Sequence, residues 1–455
     1  MSGFYFGIGR KCLNPEIPIT LAGYFSVRMW EKVLDDIEVR ALALKSEGKF
    51  AFIIQFDLIT VSTELYEATI KAFANAGINE VTSSNLIMTA THSHTAPEVR
   101  NPKTGSNPNY VNFAAAKAAD ALRDALSDMQ SGGTLEYGIT AEHRFMFNRR
   151  YWMKSGQVVT NPGKMNPDIL TSEGDIDPEI PIIAIRQNGK IKVLLANIVN
   201  HTDTIGGNDV SGDWAGFTIR TMQKELGAGS MVLPLIGCAG NINHFDVKSN
   251  CDQTCYAEAE RIGVGYAAAI SKALNALKPM SSNTFKTVHQ TLNIAPRVLE
   301  ASEIAEAQAV IEQYPDVVID GVSGADLTSE DLAKRTPFAL KFFAAKLLKM
   351  KDEKEIRNFL LTGIKFGDDA VIASLPCEPF VEIGMTIRKA IFGDYLTMVV
   401  SHSNGTGSLK FGGGYIPNAW NYGRGGYETT PRSSFTDKKT SEMLINKWRE
   451  IADEF

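Results

Sequence analysis

The sequence predicts an α/β fold, a mixed-sheet domain with a helical insertion, and three observations point to it. Short apolar runs without polar alternation, such as Leu86–Ala90, are typical of strands buried on both faces. Segments with helical periodicity separate these runs, which is the order expected of a sheet covered by helices. Several runs end at a histidine or an acidic residue, and α/β folds place their sites at the carboxyl ends of strands.

The N-terminal part of the chain predicts an opening strand, a hairpin and a helix, in that order. Residues 37–44 and 50–58 form the hairpin around the turn-rich Lys-Ser-Glu-Gly-Lys. The helical pattern opens at Ser62 and stops at Gly77. Asp57 ends the second hairpin strand, and capping of the following helix is the role we favour for it over that of a site carboxylate.

The rest of the chain continues the alternation of strands and helices. The turn Gln-Asn-Gly-Lys between two of the strands is a strong hairpin signal. In chain order we predict a strand from Leu86, a helix at 110–129, a strand at 135–146, a polar loop region at 151–180, strands at 180–185 and 191–200, a helix at 213–226, a strand at 231–237, a helix at 256–276, strands at 288–294 and 370–375, a helix to 391, a strand at 395–401 and a long aromatic loop at 402–427.

One long segment interrupts this pattern. Residues 298–362 show helical periodicity and many Lys, Glu and Ala residues. We therefore divide the chain into a domain formed by residues 1–297 and 363–455 and a helical insertion, 298–362, that belongs to the same domain. The insertion is either a lid or a plain peripheral helical layer, and the sequence favours neither.

Composition excludes several classes of function. The net charge of −6 argues against a nucleic-acid partner, which would need a basic face. No apolar run approaches the roughly 18 residues of a membrane span. The first residues do not form a signal peptide, so the chain as it stands is expected to be cytoplasmic, or periplasmic or secreted if an export signal was removed. Five cysteines leave at least one thiol free, and the sequence does not give the oligomeric state.

The strongest functional signal is a set of metal-binding residue types at strand ends. His92 and His94, two of only seven histidines, follow the strand from Leu86, and His201 ends another apolar run in the same way. Glu378 follows a third. Two imidazoles and a carboxylate with an open position for water are a common zinc arrangement in hydrolases. Without further support, the histidines could instead be surface residues, and Glu378 could cap a helix.

Five motifs strengthen the metal interpretation because of their order. They are Thr91-His92-Ser93-His94-Thr95-Ala96-Pro97, Asn148-Arg149, Asn200-His201 with Asp213-Trp214-Ala215-Gly216, Pro376-Cys377-Glu378, and Tyr415-(x)6-Tyr422-(x)4-Tyr427-Glu428. In these motifs the chain resembles the neutral/alkaline, non-lysosomal ceramidase family, specifically its N-terminal catalytic domain. The family has Thr-His-Thr-His-Ser-Gly-Pro at the histidine pair and the same tyrosine spacing in its closing motif.

The resemblance implies a hydrolytic domain that cleaves a linear amide bond with zinc-activated water. It implies that zinc is bound by His92, His201, Glu378 and Tyr415. It further implies that His94 transfers protons and that Arg149 and Tyr427 hold or polarise the scissile carbonyl. General chemistry agrees, since a developing oxyanion needs a cation or donor beside it and an imidazole can pass a proton from water to the leaving nitrogen.

The chain departs from the family at the loop after the strand at 231–237. Asn243 stands where the family has a serine with a nucleophile-like role, and His244 stands where it has a proline. An amide cannot attack a carbonyl, so an acyl-enzyme through Asn243 is excluded while attack by water is not. His244 could add a ligand or a base. Glu98 replaces a family glycine and adds charge near the pocket.

These observations together predict a zinc-dependent amidohydrolase of a small-molecule or lipid-like N-acyl substrate. The chain ends soon after the tyrosine loop, without the family's C-terminal β-sandwich domain, so the substrate need not be ceramide. Two alternatives stay open. One is a non-catalytic relative that keeps the metal pocket and binds a lipid or glycan. The other is a zinc esterase or deacylase that acts on a different acyl bond.

Overall fold

The computed structural model describes residues 3–16, 19–24, 27–100, 108–319, 336–407 and 414–455. No helix in these ranges is long and apolar enough to cross a membrane. The helices are α1 Thr63–Asn75, α2 Pro108–Ser127, α3 Asp213–Leu226, α4 Tyr256–Ala273, α5 Ala301–Gln313, α6 Pro337–Met350, α7 Val381–Thr386 with a π-helical continuation at Ile387–Ile391, and α8 Thr440–Asp453.

Most strands belong to three larger sheets, and the short ones form two- and three-stranded ribbons. The strands are β1 Tyr5–Cys12, β2 Thr20–Leu21, β3 Arg28–Met29, β4 Glu38–Ser46, β5 Lys49–Phe56, β6 Leu86–Ala90, β7 Gln130–Ser131, β8 Thr134–Ala141, β9 Phe147–Asn148, β10 Arg150–Met153, β11 Val158–Thr160, β12 Ile169–Ser172, β13 Glu179–Gln187, β14 Lys190–Ile198, β15 Met231–Ile236, β16 Ile242–Asn243, β17 Lys278–Pro279, β18 Phe285–Ile294, β19 Arg357–Phe366, β20 Ala370–Ser374, β21 Glu378–Pro379, β22 Leu396–Val400 and β23 Tyr415–Ile416.

The three larger sheets share one topology. Their strand orders are β6-β5-β4-β1-β7, β15-β14-β13-β8-β17 and β18-β19-β20-β22. In each sheet, an antiparallel hairpin (β4-β5, β13-β14 or β19-β20) is followed by a helix and then by a strand parallel to the hairpin's second strand. The crossover helices are α1, α3 and α7. The chain therefore repeats one unit three times, although its sequence shows no internal repeat.

One core joins the three units. Apolar side chains from all three sheets, among them Ile53, Leu195 and Ile372, form a single buried cluster. The opposite face of each sheet is covered by its own helices and forms a separate cluster. Burial of each sheet on both faces explains why the strands are nearly continuous apolar runs.

The parallel edge strands meet inside the molecule, and amide side chains satisfy their free backbone groups. Gln55 donates to the carbonyl oxygen of Pro234 at 2.7 Å. Asn197 accepts from the amide of Val399 at 3.1 Å and donates back to its carbonyl at 3.2 Å. Asn404 accepts from the amide of Met88 at 2.9 Å. Unpaired backbone groups at a buried edge are costly, so these amides fix the three units against each other.

The predicted α/β class is confirmed, and most predicted strands and helices lie where the sequence placed them. The loop prediction for 151–180 is wrong, because β10, β11 and β12 form a three-stranded sheet there. The helical prediction for 298–362 holds for α5 and α6 only. From Arg357 the chain is strand β19, which pairs with β18 along its whole length. Residues 320–335 of that segment lie outside the described residues, and its role as a lid stays a prediction.

Candidate metal centre

The polar residues predicted at strand ends come from all three units and meet at one place. His92 and His94 follow β6 of the first unit, His201 follows β14 of the second, and Glu378 follows β20 of the third. His92, His94 and His201 are all buried and offer ring nitrogens that lie within 4.8 Å of one another. The structure thus brings together residues more than 100 positions apart in the sequence.

The geometry of His92 and His201 leaves two nitrogen lone pairs facing each other. His92 Nδ1 lies 2.7 Å from the carbonyl oxygen of Ile59, and His201 Nδ1 lies 2.9 Å from that of Ala239. A carbonyl only accepts, so each Nδ1 carries the proton and each neutral ring presents an unprotonated Nε2. The two Nε2 atoms are 3.1 Å apart. Such a buried pair is unfavourable unless a cation lies between the lone pairs.

His94 and Glu378 complete the cluster. His94 Nε2 is 3.1 Å from His92 Nε2, so His94 reaches the same point as the two predicted ligands. Glu378 Oε2 lies 3.5 Å from the Nε2 atoms of both His92 and His201. That oxygen is buried without a hydrogen-bond partner. A buried, unpartnered carboxylate oxygen beside three imidazole nitrogens is a donor set that could hold a divalent metal ion.

The ionisation states of these groups also suit metal binding. Burial lowers the pKa of His92 far below its usual value, and lowers that of His94 to about 4. Burial acts to raise the pKa of Glu378, but the neighbouring His201 ring and the Arg149 guanidinium favour the ionised carboxylate and lower that pKa to about 2. At neutral pH, His92 and His94 are therefore neutral and the Glu378 carboxylate is ionised, as metal ligands must be.

Sequence reasoning missed a fourth histidine, His402. Its ring stacks on that of His92 with centroids 3.9 Å apart and planes 18° apart. Both residues have a left-handed backbone, with φ of 60° for His92 and 55° for His402. Each stands two residues after the last parallel strand of its unit, β6 or β22. This shared position is the signal that could have identified His402, since the same recurrence drew attention to His201.

The loop that carries Tyr415 and Tyr427 lies beside the Glu378 carboxylate. Tyr415 pairs with Glu378 in the parallel β21-β23 ladder. Burial raises the pKa of the Tyr415 phenol, and the charge of Glu378 raises it further. The Arg149 guanidinium lies 5.1 Å from the centre of the Tyr415 ring, and the Tyr427 ring lies 5.4 Å from it. The structure therefore brings Tyr415, Arg149 and Tyr427 together on one side of the cluster.

Glu428 holds the side chains of Arg149 and Arg150 in place. It is fully buried and accepts from Arg149 Nε and from Arg150 Nη1, both at 2.8 Å. Arg149 also donates to the carbonyl oxygen of Gly240 at 2.7 Å. Because several of its donors are already engaged, the orientation of the Arg149 side chain is fixed before any substrate binds.

Asn243 and His244 are engaged in structural contacts. The Asn243 amide nitrogen donates to Asn161 Oδ1 at 3.1 Å, and its oxygen accepts from the amide of Phe245 at 3.1 Å. His244 Nε2 lies 2.7 Å from the carbonyl oxygen of Gln253. His244 is therefore not part of the three-histidine group, while Asn243 follows Ile242, whose carbonyl lies 3.1 Å from His201 Nδ1.

A second carboxylate lies behind His94. Asp203 Oδ1 is 3.5 Å from His94 Nδ1 and accepts from the Tyr24 hydroxyl at 2.7 Å. Gly23 lies against the same ring, where a Cβ would come within 2.4 Å of His94 Nδ1. Arg28 donates to the carbonyl oxygen of His94. His94 is thus held from its ring and from its backbone.

Two buried aspartates, Asp57 and Asp213, make structural contacts. Asp57 forms a buried bidentate ion pair with Arg40, at 2.8 and 2.7 Å. The helix cap favoured for Asp57 is wrong, because Ser62 caps α1 by accepting from the amide of Leu65. Asp213, the first residue of the motif Asp213-Trp214-Ala215-Gly216, accepts from the amides of Thr204 and Ile205 and so fixes the loop after His201.

The fold of this chain is similar to that of solved ceramidase structures. No protein-family model and no curated sequence matches the chain. A solved structure described as a ceramidase complexed with C2 matches with a TM-score of 0.74 at 15% identity, over 99% of this chain and 75% of that chain. A neutral ceramidase from Pseudomonas aeruginosa matches with a TM-score of 0.71 at 14% identity, over 100% of this chain and 75% of that chain.

The chain therefore has the fold of neutral ceramidases. The family resemblance drawn from the motifs is confirmed at the level of the fold. At these identities the superposition carries the architecture alone, so the reaction has to be argued from the residues of this chain.

Proposed function

We propose that the protein is a zinc-dependent hydrolase of a linear amide bond, an N-acyl amidohydrolase in which water is the nucleophile. The observation that carries this proposal is the close approach of the Nε2 atoms of His92 and His201, which are buried and 3.1 Å apart. Their outer nitrogens are held by backbone carbonyls, the arrangement that orients metal-binding histidines. The neutral ceramidase fold agrees with this reaction class.

The residues present fit a zinc ion. His92, His201 and Glu378 supply two imidazole nitrogens and one carboxylate oxygen, and Tyr415 lies next to Glu378 in register. His94 Nε2 lies 3.1 Å from His92 Nε2, which would place His94 beside the ion as the proton-transfer residue. A bound zinc ion would lower the pKa of a water molecule to about 7 and would polarise the acyl carbonyl.

The surrounding residues would manage protons and developing charge. His94 stays neutral at pH 7 because burial lowers its pKa to about 4, so its Nε2 can accept a proton from water and pass it to the leaving nitrogen. Arg149 supplies a fixed positive charge that does not titrate, and Tyr427 supplies a hydroxyl beside it. Both would stabilise the oxyanion of the tetrahedral intermediate. Asn243 can donate a hydrogen bond but cannot act as nucleophile.

The test compares an N-dodecanoyl amide with the matched dodecanoyl ester. We expect amide hydrolysis that stops on chelation and returns with added zinc, and that falls at least about 100-fold in His94→Gln, the range of a general acid–base contribution. His143→Gln is the matched control, because His143 is exposed. Hydrolysis of the ester alone would replace the proposal with the esterase alternative. Zinc binding without turnover of either compound would favour the non-catalytic alternative, a relative that keeps the metal pocket and only binds its ligand.

A further inference from the structure

The two nitrogens of the His94 ring face different groups. Nε2 lies 3.1 Å from His92 Nε2, at the candidate metal centre. Nδ1 lies 3.5 Å from Oδ1 of Asp203, which follows β14 in the second unit. The same carboxylate oxygen accepts from the Tyr24 hydroxyl at 2.7 Å. Tyr24, Asp203 and His94 thus form a chain of contacts that ends at the metal centre.

Exposure to solvent increases along this chain of contacts. The His94 side chain is 8% exposed and the Asp203 side chain 30%, while Tyr24 is 42% exposed. A carboxyl group that reaches solvent to this extent is ionised at neutral pH, and an ionised carboxylate only accepts hydrogen bonds. Asp203 therefore acts as an acceptor towards both Tyr24 and His94.

Asp203 determines which nitrogen of His94 carries the proton. Within the described part of the chain, Nδ1 is buried without a full hydrogen bond, and the Asp203 carboxylate is the charged group that faces it. An unprotonated Nδ1 would direct its lone pair at a carboxylate oxygen, whereas an Nδ1–H donates to it. Hydrogen bonds of this kind are commonly long before a substrate binds. The neutral ring therefore keeps its proton on Nδ1 and presents an unprotonated Nε2 to the centre.

Tyr24 and Arg28 restrict the orientation of the His94 ring. The rings of Tyr24 and His94 meet edge to face, with centroids 5.9 Å apart and planes at 85°. The Arg28 guanidinium lies 4.0 Å from the centre of the Tyr24 ring. It donates to the carbonyl oxygen of Gly207 at 2.6 Å and also to that of His94. The ring is thus held in the one orientation in which Nδ1 faces Asp203.

Resting on the hydrolase function proposed above, we propose that Asp203 and Tyr24 are positioning residues that make His94 the proton donor to the leaving nitrogen, which suits the site to amides of alkylamines. The oxygen of water joins the carbonyl carbon while His94 Nε2 takes a proton from that water. Nε2 gives this proton to the nitrogen as the C–N bond breaks, so the products are a carboxylic acid and an amine. An alkylamine cannot leave as an anion and needs this proton, whereas the stable anion of an activated ester does not.

The experiment compares N-octanoylethanolamine, which releases an alkylamine, with para-nitrophenyl octanoate, which releases a stable anion. Asp203→Ala should lower kcat for the amide about 10- to 100-fold, the range for a residue that orients a catalytic group, and leave kcat for the ester and KM for both compounds close to the wild type. Tyr24→Phe removes only the hydroxyl and should lower kcat for the amide by a smaller factor.

Asp209→Ala is the matched control for Asp203→Ala. Asp209 lies on the same loop and is exposed to a similar extent, but it pairs with Lys32 at 3.5 Å. This variant should hydrolyse both compounds like the wild type. A loss of amide hydrolysis as large as that of Asp203→Ala would assign the effect to the loop and overturn the proposal.

A measurement of the His94 tautomer tests the positioning without turnover. Nitrogen NMR of zinc-loaded protein with labelled histidine, in which the His94 signals are identified by their loss in His94→Gln, should show the proton on Nδ1 in the wild type and a mixture of both tautomers in Asp203→Ala. A proton on Nε2 in the wild type, or an equal loss of kcat for amide and ester in Asp203→Ala, overturns the proposal. If the wild type hydrolyses neither compound, the proposed function fails, and the tautomer alone decides the role of Asp203.

Discussion

We predict that the metal-free protein loses stability as the pH is lowered, because its buried histidines resist protonation. Burial lowers the pKa of His94 from 6.5 to about 4. The unfolded chain therefore binds a proton at this residue between those pH values while the folded chain does not. Its contribution to stability is fully present above pH 6.5 and is lost as the pH falls towards 4. The difference corresponds to about 3 kcal/mol.

Neighbouring groups change the size of the effect but not its sign. Burial lowers the pKa of His402 to about 3, so His402 adds a loss of stability over the same range. Glu378 has a pKa of about 2 in the folded chain, below the ordinary value of 4.5. Its contribution is therefore lost only below pH 4.5. Between pH 6.5 and 4.5 the histidines dominate.

Urea unfolding of the chelator-treated protein at pH 7.5, 6.5, 5.5 and 4.5 measures the effect. We expect the free energy of unfolding to drop by at least about 3 kcal/mol across this series, and the drop to shrink in His94→Gln. His143→Gln, at an exposed position, should follow the wild type. A free energy that stays constant from pH 6.5 to 4.5, or a drop of equal size in His94→Gln, would refute the reasoning.

Two further predictions concern the support of the site. Gly23→Ala should weaken zinc affinity, measured by competition with a chelator, because the added Cβ would lie 2.4 Å from His94 Nδ1. Gly48→Ala is the control and should leave the affinity unchanged, because Gly48 also has a positive φ but an added Cβ there meets nothing within 4 Å. Arg40→Met should lower the free energy of unfolding, measured in urea, by about 3–5 kcal/mol, because it leaves Asp57 as a buried charge without its ion-pair partner. Asp57→Asn added to that variant should recover part of the loss. An unchanged free energy of unfolding in Arg40→Met, or no recovery in the double variant, would contradict this reasoning.

Most strands of the three larger sheets could be predicted, because strands that are buried on both faces are continuous apolar runs in the sequence. The hairpins and crossover helices of the three units follow from turn residues and helical periodicity. The sheet β10-β11-β12 could not be found in this way, since its strands are short and partly exposed. Strand β19 was assigned to a helix because apolar and polar residues alternate irregularly there. Helix α8 at the C-terminus was missed as well.

The site was partly predictable for a physical reason. Strand ends converge in an α/β fold, so His92, His201 and Glu378 could be grouped without knowing the contacts between them. His402 was missed because it opens a long loop, although it follows β22 at the same distance at which His92 follows β6. The contact of Asp203 with His94 joins loops of two units, so its geometry depends on how those units pack.

The central claim is that His92, His201 and Glu378 bind a zinc ion, with Tyr415 as a further ligand and His94 beside the ion. Anomalous diffraction at the zinc absorption edge, from crystals of protein purified without chelators, tests it most directly. The account predicts one strong peak within bonding distance of the Nε2 atoms of His92 and His201, and loss of that peak in His92→Ala. Crystals soaked in zinc that show no peak at this position would contradict it.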